Sequence, residues 1–262
     1  MVAGASGTIG RAVVDALIAR PVTVIPCIAS RSGSPRDAQA VDCRANTNPL
    51  AAAQDAGAEH FILLSASCVQ KPRLAFQHAK LAFESELIAS PLDRTIVRPT
   101  ALFKSLSGQV AGGARGDRFM VFGNGELTRC KPISDRDCAR FVADCVTDPA
   151  RRNAILPIGG PGPANSMKEQ GALLFQAAGR EPRFQSIPPA MFKAVARLLS
   201  LGAPFSGGLA EKAEYARIAH YYATESMLVL DPETGQYSAA MTPEFGKDRL
   251  ADHYKLMLDE LR

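Results

Sequence analysis

The stretch that most limits how this chain can fold is its opening, MVAGASGTIGRAVVDALIAR. A stub of apolar residues runs into a turn carrying Gly4, Gly7 and Gly10, and the turn runs into a pattern with Ile9, Val13 and Leu17 at helical spacing. A strand that must turn at once into a helix, through glycines that let the backbone pass close to itself, is the first unit of a parallel sheet with helices laid against it.

The rest of the first hundred residues keeps the alternation. PVTVIPCIAS at 21–30 is β-branched and reads as a strand interrupted by Pro26, and the alanine-rich stretch 37–56 reads as a helix stopped by Gly57. HFILLSAS at 60–67 is a continuous apolar run of the kind that fills a buried parallel strand. A helix over roughly 73–89 and the strand RTIVRPTALF at 94–103 complete the series.

The second half changes character, with a glycine-rich loop at 107–116, a strand at FMVFGNG, and a helix after KPIS in which Ser134 and Asp137 form a capping box. AILPIGGPGPA at 154–164 reads as a strand entering a loop, 166–179 as a helix, and 188 onward as helices broken near Gly202–Pro204 and Gly207–Gly208. MLVL, a DPETG turn and a last helix at 247–261 end the chain. The expected fold class is α/β, a doubly wound and mostly parallel sheet over residues 1–150. A smaller, α-rich substrate region at 151–262 is expected to pack on it.

Three places could carry chemistry. Bare backbone N–H groups at a helix N-terminus accept a pyrophosphate, and a Cβ at Gly4, Gly7 or Gly10 would hold it away. Ser6, Thr8 and Ile9 belong to the same cradle, and Arg11 either meets a phosphate or is a solvated first-turn residue. Ser30 and Pro99 join the list of cofactor contacts because they fall at strand ends.

Ser65 ends the LLSAS strand, at the edge where open α/β sheets bind ligands. In LAFQHAKLAFE, Lys80 shares a helical sector with Phe76, Phe83 and Leu87, an unfavourable place for an ammonium. Either its stem lies on apolar surface while the head snorkels out toward Glu84, or it serves a site. Serine, then phenylalanine, then lysine four residues on is similar to the layout of short-chain dehydrogenases, with Phe76 where those enzymes keep an acid tyrosine. A phenylalanine cannot protonate an alkoxide.

Composition removes several classes. A net charge of +4 with Lys and Arg dispersed along the chain calls for no nucleic acid. The six cysteines include no CxxC pair and the four histidines are scattered, so no metal or iron–sulfur site is expected. No run reaches the roughly 18 apolar residues of a spanning helix, and no secretory signal is visible, which points to the cytoplasm.

Five segments, SASCVQKPRLAFQHAKLAFESEL, IVRPTALFKSLSGQV, VFGNGELTRCKPISDRD, LPIGGPGPA and YYATESMLVLDPETGQY, resemble the divinyl chlorophyllide a 8-vinyl-reductases, atypical short-chain dehydrogenases of chlorophyll and bacteriochlorophyll synthesis. The resemblance runs almost continuously from about Cys27 to Arg249 and takes in GASGTIG. It implies NADPH as cofactor and a flat, apolar chlorin substrate whose magnesium is its own. It also implies Lys80 and Ser65, with Phe76, at the reacting end. Arg98, Phe103, Lys104, Gln109, Gly159 and Gly160 are the residues expected to line the pigment pocket, against the alternative of ordinary loop and helix packing. Peripheral contact with photosynthetic membranes is compatible with such a substrate.

One departure stands out. A doubly wound domain should follow its first helix with a second strand, whose end reads the adenosine ribose, but Arg20 runs directly into PVTVIPCIAS. The shortfall is roughly two βα units, on the order of 60 residues. Two other readings therefore stand beside the reductase: a non-catalytic dinucleotide-binding protein and an inactive, shortened reductase.

Overall fold

A computed structural model describes residues 2–3, 23–203 and 206–261. Along the chain come β1 (Val2–Ala3), β2 (Thr23–Pro26), α1 (Pro35–Asp37), a π-helical turn at Ala38–Arg44, α2 (Ala45–Asp55), β3 (His60–Leu64), α3 (Ala75–Ala89) and β4 (Asp93–Pro99). Then follow α4 (Val110–Arg115), β5 (Phe119–Phe122), β6 (Arg129–Cys130), α5 (Asp135–Asp144), β7 (Ala154–Ile158), β8 (Asn165–Ser166), α6 (Met167–Ala178) and β9 (Phe184–Ile187). α7 (Pro189–Gly202), α8 (Gly207–Thr224), the pair β10 (Val229–Leu230) and β11 (Tyr237–Ser238), and α9 (Leu250–Glu260) close the list.

The chain divides into two compact units that interleave in sequence. Unit 1 is Met1–Pro99 with Asp135–Ile158, and unit 2 is Thr100–Ser134 with Gly159–Arg262. A single boundary after residue 150 does not describe this division, because β7 belongs to the sheet of unit 1 while the residues between β4 and α5 belong to unit 2.

Unit 1 is built on a five-stranded sheet in the order β1-β2-β3-β4-β7, every neighbouring pair parallel. Register runs from His60 opposite Asp93 to Leu64 opposite Val97, and on to Pro99 opposite Ile158. A parallel sheet is covered on both faces, which is why HFILL is apolar without alternation and Phe61 and Ile62 are both fully buried. On one face, Phe61 and Ile96 pack with Leu50 and Ala53 of α2 and with Phe83 and Leu87 of α3. The short β1 lies at the edge of the described sheet.

In unit 2, β5 pairs in parallel with β9 and β6 antiparallel with β8, while Leu174, Phe175, Leu250 and Tyr254 form the core with Phe103, Phe119 and Val121. α6 has the full set of end signals: Ser166 accepts from the Glu169 N–H, Glu169 reaches back to Ser166, and Gly179 closes the helix in the left-handed region. The glycine-rich stretch 107–116 is not a loop. It forms a 3₁₀ segment (Phe103–Gln109) followed by α4, because Gly113 leaves room for Leu174, whose Cδ2 would stand 2.7 Å from a Cβ there. Among the described residues, no helix is long and apolar enough to cross a membrane.

Candidate active site

The site lies at the carboxyl ends of β2, β3 and β4, where parallel strands leave their last residues facing the same way. Ser65 follows β3 and continues its ladder by donating its N–H to Val97 O. Its hydroxyl donates to Glu84 Oε1, and the Arg98 guanidinium grips the same carboxylate through both Nε and Nη2. Glu84 is buried, so this fork supplies the compensation that an interior carboxylate requires.

A second carboxylate sits beside it. Asp42 lies in the π-helical turn with its side chain fully buried, and it binds Lys80 Nζ at 2.8 Å. It also accepts from the Ser30 N–H at 3.3 Å and from the Ser30 hydroxyl. One turn on, Asn46 Nδ2 donates to the carbonyls of Val41 and Asp42, while its Oδ1 is buried without a partner among the described residues. Asn46, Lys80, Ser65 and Asp42 line a cleft with Leu63 and Phe83 that is too tight to hold a water molecule. The arrangement amounts to two buried ion pairs, each with a serine attached, at one sheet edge. π-helical turns often coincide with functional positions.

Lys80 is thus neither snorkelling nor paired with Glu84. Its ammonium is held by Asp42, and its side chain keeps 13% of its exposure. Phe76 is half-buried one turn before it, and Pro99 is buried at the end of β4. Gly4, Ser6, Gly7, Thr8, Ile9, Gly10 and Arg11 lie outside the described residues. Arg98 is committed to Glu84.

The remaining pocket candidates belong to unit 2, and most have work of their own there. Phe103 is buried in the core with its ring 5.3 Å from that of His253, and the Gln109 amide both donates to and accepts from the Met120 backbone. Gly159 and Gly160 are buried where a Cβ would stand 2.8 Å from Lys131 Cβ and 1.8 Å from Pro132 O respectively. Close packing alone accounts for these two glycines. Lys104 is exposed.

Asp42, Asn46 and Glu84 are the residues that sequence reasoning missed as site members. A signal was present for the first two. Asp42, Asn46, Leu50 and Ala53 recur at helical spacing and are all buried, so two polar side chains stand on an apolar stripe. The Cys27 thiol at the end of β2 is pushed up to about 11 by burial, which keeps it from acting as a thiolate nucleophile near neutral pH.

The residue types at this edge, serine hydroxyls, an ammonium and an amide, are those that bind the nicotinamide half of a dinucleotide, although in this structure Ser30, Ser65 and Lys80 are engaged with Asp42 and Glu84 and the cleft among them is closed. Residues 22–149 match the NAD(P)H-binding family. Solved structures with the same fold include an NADPH-dependent quinone oxidoreductase from Escherichia coli, 16% identical with a TM-score of 0.64 over 98% of both chains. Another is a UDP-glucose 4-epimerase from Thermotoga maritima, 18% identical with a TM-score of 0.66, covering 100% of this chain and 97% of the other. The parallel sheet and this family match define a Rossmann-like NAD(P)-binding fold.

Within that class the chain is a homologue of the divinyl chlorophyllide a 8-vinyl-reductases. It is 50% identical over 239 residues to the chloroplastic enzyme of Oryza sativa subsp. indica, and 48% identical over 243 residues to that of Arabidopsis thaliana. These matches cover 89% and 90% of this chain but only 59% and 58% of the relatives, so the chain spans about three fifths of their length.

Proposed function

We propose that the chain is an NADPH-dependent reductase that converts the 8-vinyl group of divinyl chlorophyllide a, or of a related divinyl protochlorophyllide or chlorin, to ethyl. The observation that carries this reading is the site's chemistry: the strand-edge serine and the helix lysine are kept, while Phe76 stands where a carbonyl reductase needs a proton donor. NADPH, when bound, supplies the hydride. A vinyl group conjugated to a macrocycle accepts hydride at its terminal carbon because the ring takes up the charge, and a proton at the adjacent carbon completes the ethyl group. No alkoxide forms, and no tyrosine acid is needed.

The protein's part is to bind and orient. Lys80 donates to the nicotinamide ribose and places positive charge at the reacting end, and either Lys80 or a water molecule gives the proton. Asp42 is a positioning residue: with Ser30 it fixes the ammonium at the strand edge. The pigment, whose magnesium is part of the substrate, is proposed to present its 8-vinyl group at this strand edge of unit 1. We place the reaction in the cytoplasm, with peripheral access to photosynthetic membranes; the relatives are named chloroplastic.

The test is to mix purified chain, divinyl chlorophyllide and NADPH and to follow the Soret band. A blue shift is expected, and no shift in the presence of bound pigment and cofactor overturns the reading. Lys80 cannot be replaced alone in this test, since Lys80→Met would strand a fully buried Asp42. The informative variant is Asp42→Asn/Lys80→Met, for which turnover is expected to fall about a hundredfold or more with pigment binding retained. A second reading, a shortened protein without activity, is favoured by the direct run from Arg20 into PVTVIPCIAS, where a second strand is expected, and by β1 standing at the edge of the described sheet. It predicts no rise in melting temperature on adding NADPH.

A further inference from the structure

The two most exposed large apolar side chains of the described residues, Leu198 at 70% and Leu201 at 75%, lie on one helix, α7. Met191 at 46% and Val195 at 41% join them. At about 100° per residue these four fall within roughly 120° of arc, an unbroken apolar stripe along the outside of the helix. The opposite side faces protein. Ala196 is buried, Phe192 meets Phe122 edge-on at 5.4 Å, and Ser200 accepts from Arg217 of α8 at 2.7 Å. α7 is therefore anchored through one side and offers leucines on another.

The charges on α7 are of one sign. Lys193 and Arg197 are both exposed, Arg197 about 40° and Lys193 about 80° beyond the Leu201 edge of the stripe, and Pro189–Gly202 contains no acidic residue. A self-associating apolar face gains nothing from a uniformly basic flank, since two copies would bring like charges together. An anionic lipid surface satisfies both features: the leucines enter the boundary between headgroups and acyl chains, and the ammonium and guanidinium stay among the phosphates.

We infer that α7 is a membrane-docking helix that seats the protein on an anionic lipid surface through Met191, Val195, Leu198 and Leu201, with Lys193 and Arg197 on the headgroups. This holds whether or not the chain reduces a pigment, because it rests on α7 of unit 2 by itself and is tested without cofactor.

The test is flotation of the whole chain with vesicles of phosphatidylcholine, plain or containing roughly a third phosphatidylglycerol. The expected result is flotation with the anionic vesicles that weakens with salt and drops at least tenfold in Leu198→Glu/Leu201→Glu, with a smaller drop in Lys193→Glu/Arg197→Glu. Circular dichroism and melting check that the variants are folded, and Leu198→Ser/Leu201→Ser replaces the glutamate pair if they are not. No flotation, equal flotation with both vesicle types, or undiminished flotation of a folded stripe variant overturns the inference. So does light scattering showing that the stripe variant turns a dimer into a monomer, which would make the face a contact between two copies.

Discussion

Two lysines of this molecule look alike until their partners are compared. Lys80 in unit 1 keeps 13% of its side-chain exposure and Lys131 in unit 2 keeps 8%, and each binds a carboxylate, at 2.8 Å and 2.6 Å. But Asp42, the partner of Lys80, is fully buried, whereas Glu244, the partner of Lys131, is 45% exposed. The cost of breaking an ion pair is set by what the abandoned partner can do next. Glu244 can turn to water, and Asp42 has only Ser30 left. Unit 1 has gathered charges that cannot dissolve elsewhere at its sheet edge, whereas unit 2 uses its pair to tie loops together.

The largest effect should therefore come from Lys80→Met, which leaves Asp42 uncompensated and is expected to lower stability by about 3 kcal/mol in denaturant titration. Asp42→Asn/Lys80→Met should regain most of it, since the new amide oxygen still accepts from Ser30 and no charge is stranded. Equal stabilities for the single and double variants would break the comparison at its root.

Glu84→Gln comes next. The amide oxygen can still accept from Ser65 and from Arg98 Nε, but Arg98 Nη2 loses its acceptor and the guanidinium, 17% exposed, loses its counter-charge. A loss of about 2 kcal/mol is expected, smaller than for Lys80→Met because Arg98 retains some solvent. Arg98→Met added to Glu84→Gln should recover stability. If it makes matters worse, the pair acts chiefly by packing.

A third buried polar side chain of unit 1 avoids the problem by staying neutral. The Thr95 hydroxyl donates to Arg151 O at 2.7 Å, so its oxygen accepts from His60 Nε2 at 2.9 Å, and Nδ1 is left bare. Burial, with Arg152 nearby, lowers the His60 pKa from 6.5 to about 4, against a smaller opposing effect from Asp93. In that interval the unfolded chain binds a proton that the folded chain refuses, so this contribution falls as pH drops from 6.5 toward 4 and is constant above. A loss of roughly 2 kcal/mol across the interval is expected, to be read from unfolding at several pH values. His60→Asn should flatten that slope; an unchanged slope would mean that other groups carry it.

These residues also mark what could be read from sequence. The strand HFILL, the helix carrying LAFQHAK and the helix at 166–179 were legible because burial on both faces, helical periodicity and a Ser166/Glu169/Gly179 frame are local signals. The partner of Lys80 was not, because Asp42 reaches it through a sheet register and a π-helical turn that no local pattern encodes. The stretch 107–116 was misread because glycine propensity argues for a loop, whereas contact with Leu174 makes Gly113 the residue that fits a helix. Gly159 and Gly160 show the converse, glycines that look like a ligand loop and are filled by Lys131 and Pro132.

The smallest effect should belong to Lys131→Met. Lys131 Nζ donates to Glu244 Oε1 and to Thr242 O, while Glu244 also accepts from the Gly162 N–H. These contacts hold the Glu244 carboxyl below the usual carboxylate range, Lys131 contributing most. A methionine of similar length keeps the packing against Gly159, Glu244 stays hydrated and bonded to Gly162, and Thr242 O loses one donor of low worth. The expected loss is at most about 1 kcal/mol. The Glu244 pKa should move up in the variant, so the small stability that this pair adds above the carboxylate range, and loses as pH falls through it, should disappear. Carbon-detected NMR of the Glu244 carboxylate in wild type and variant would follow that shift. A destabilisation as large as that of Lys80→Met would mean that the exposure of the abandoned partner does not decide the cost, and that the two lysines are alike after all.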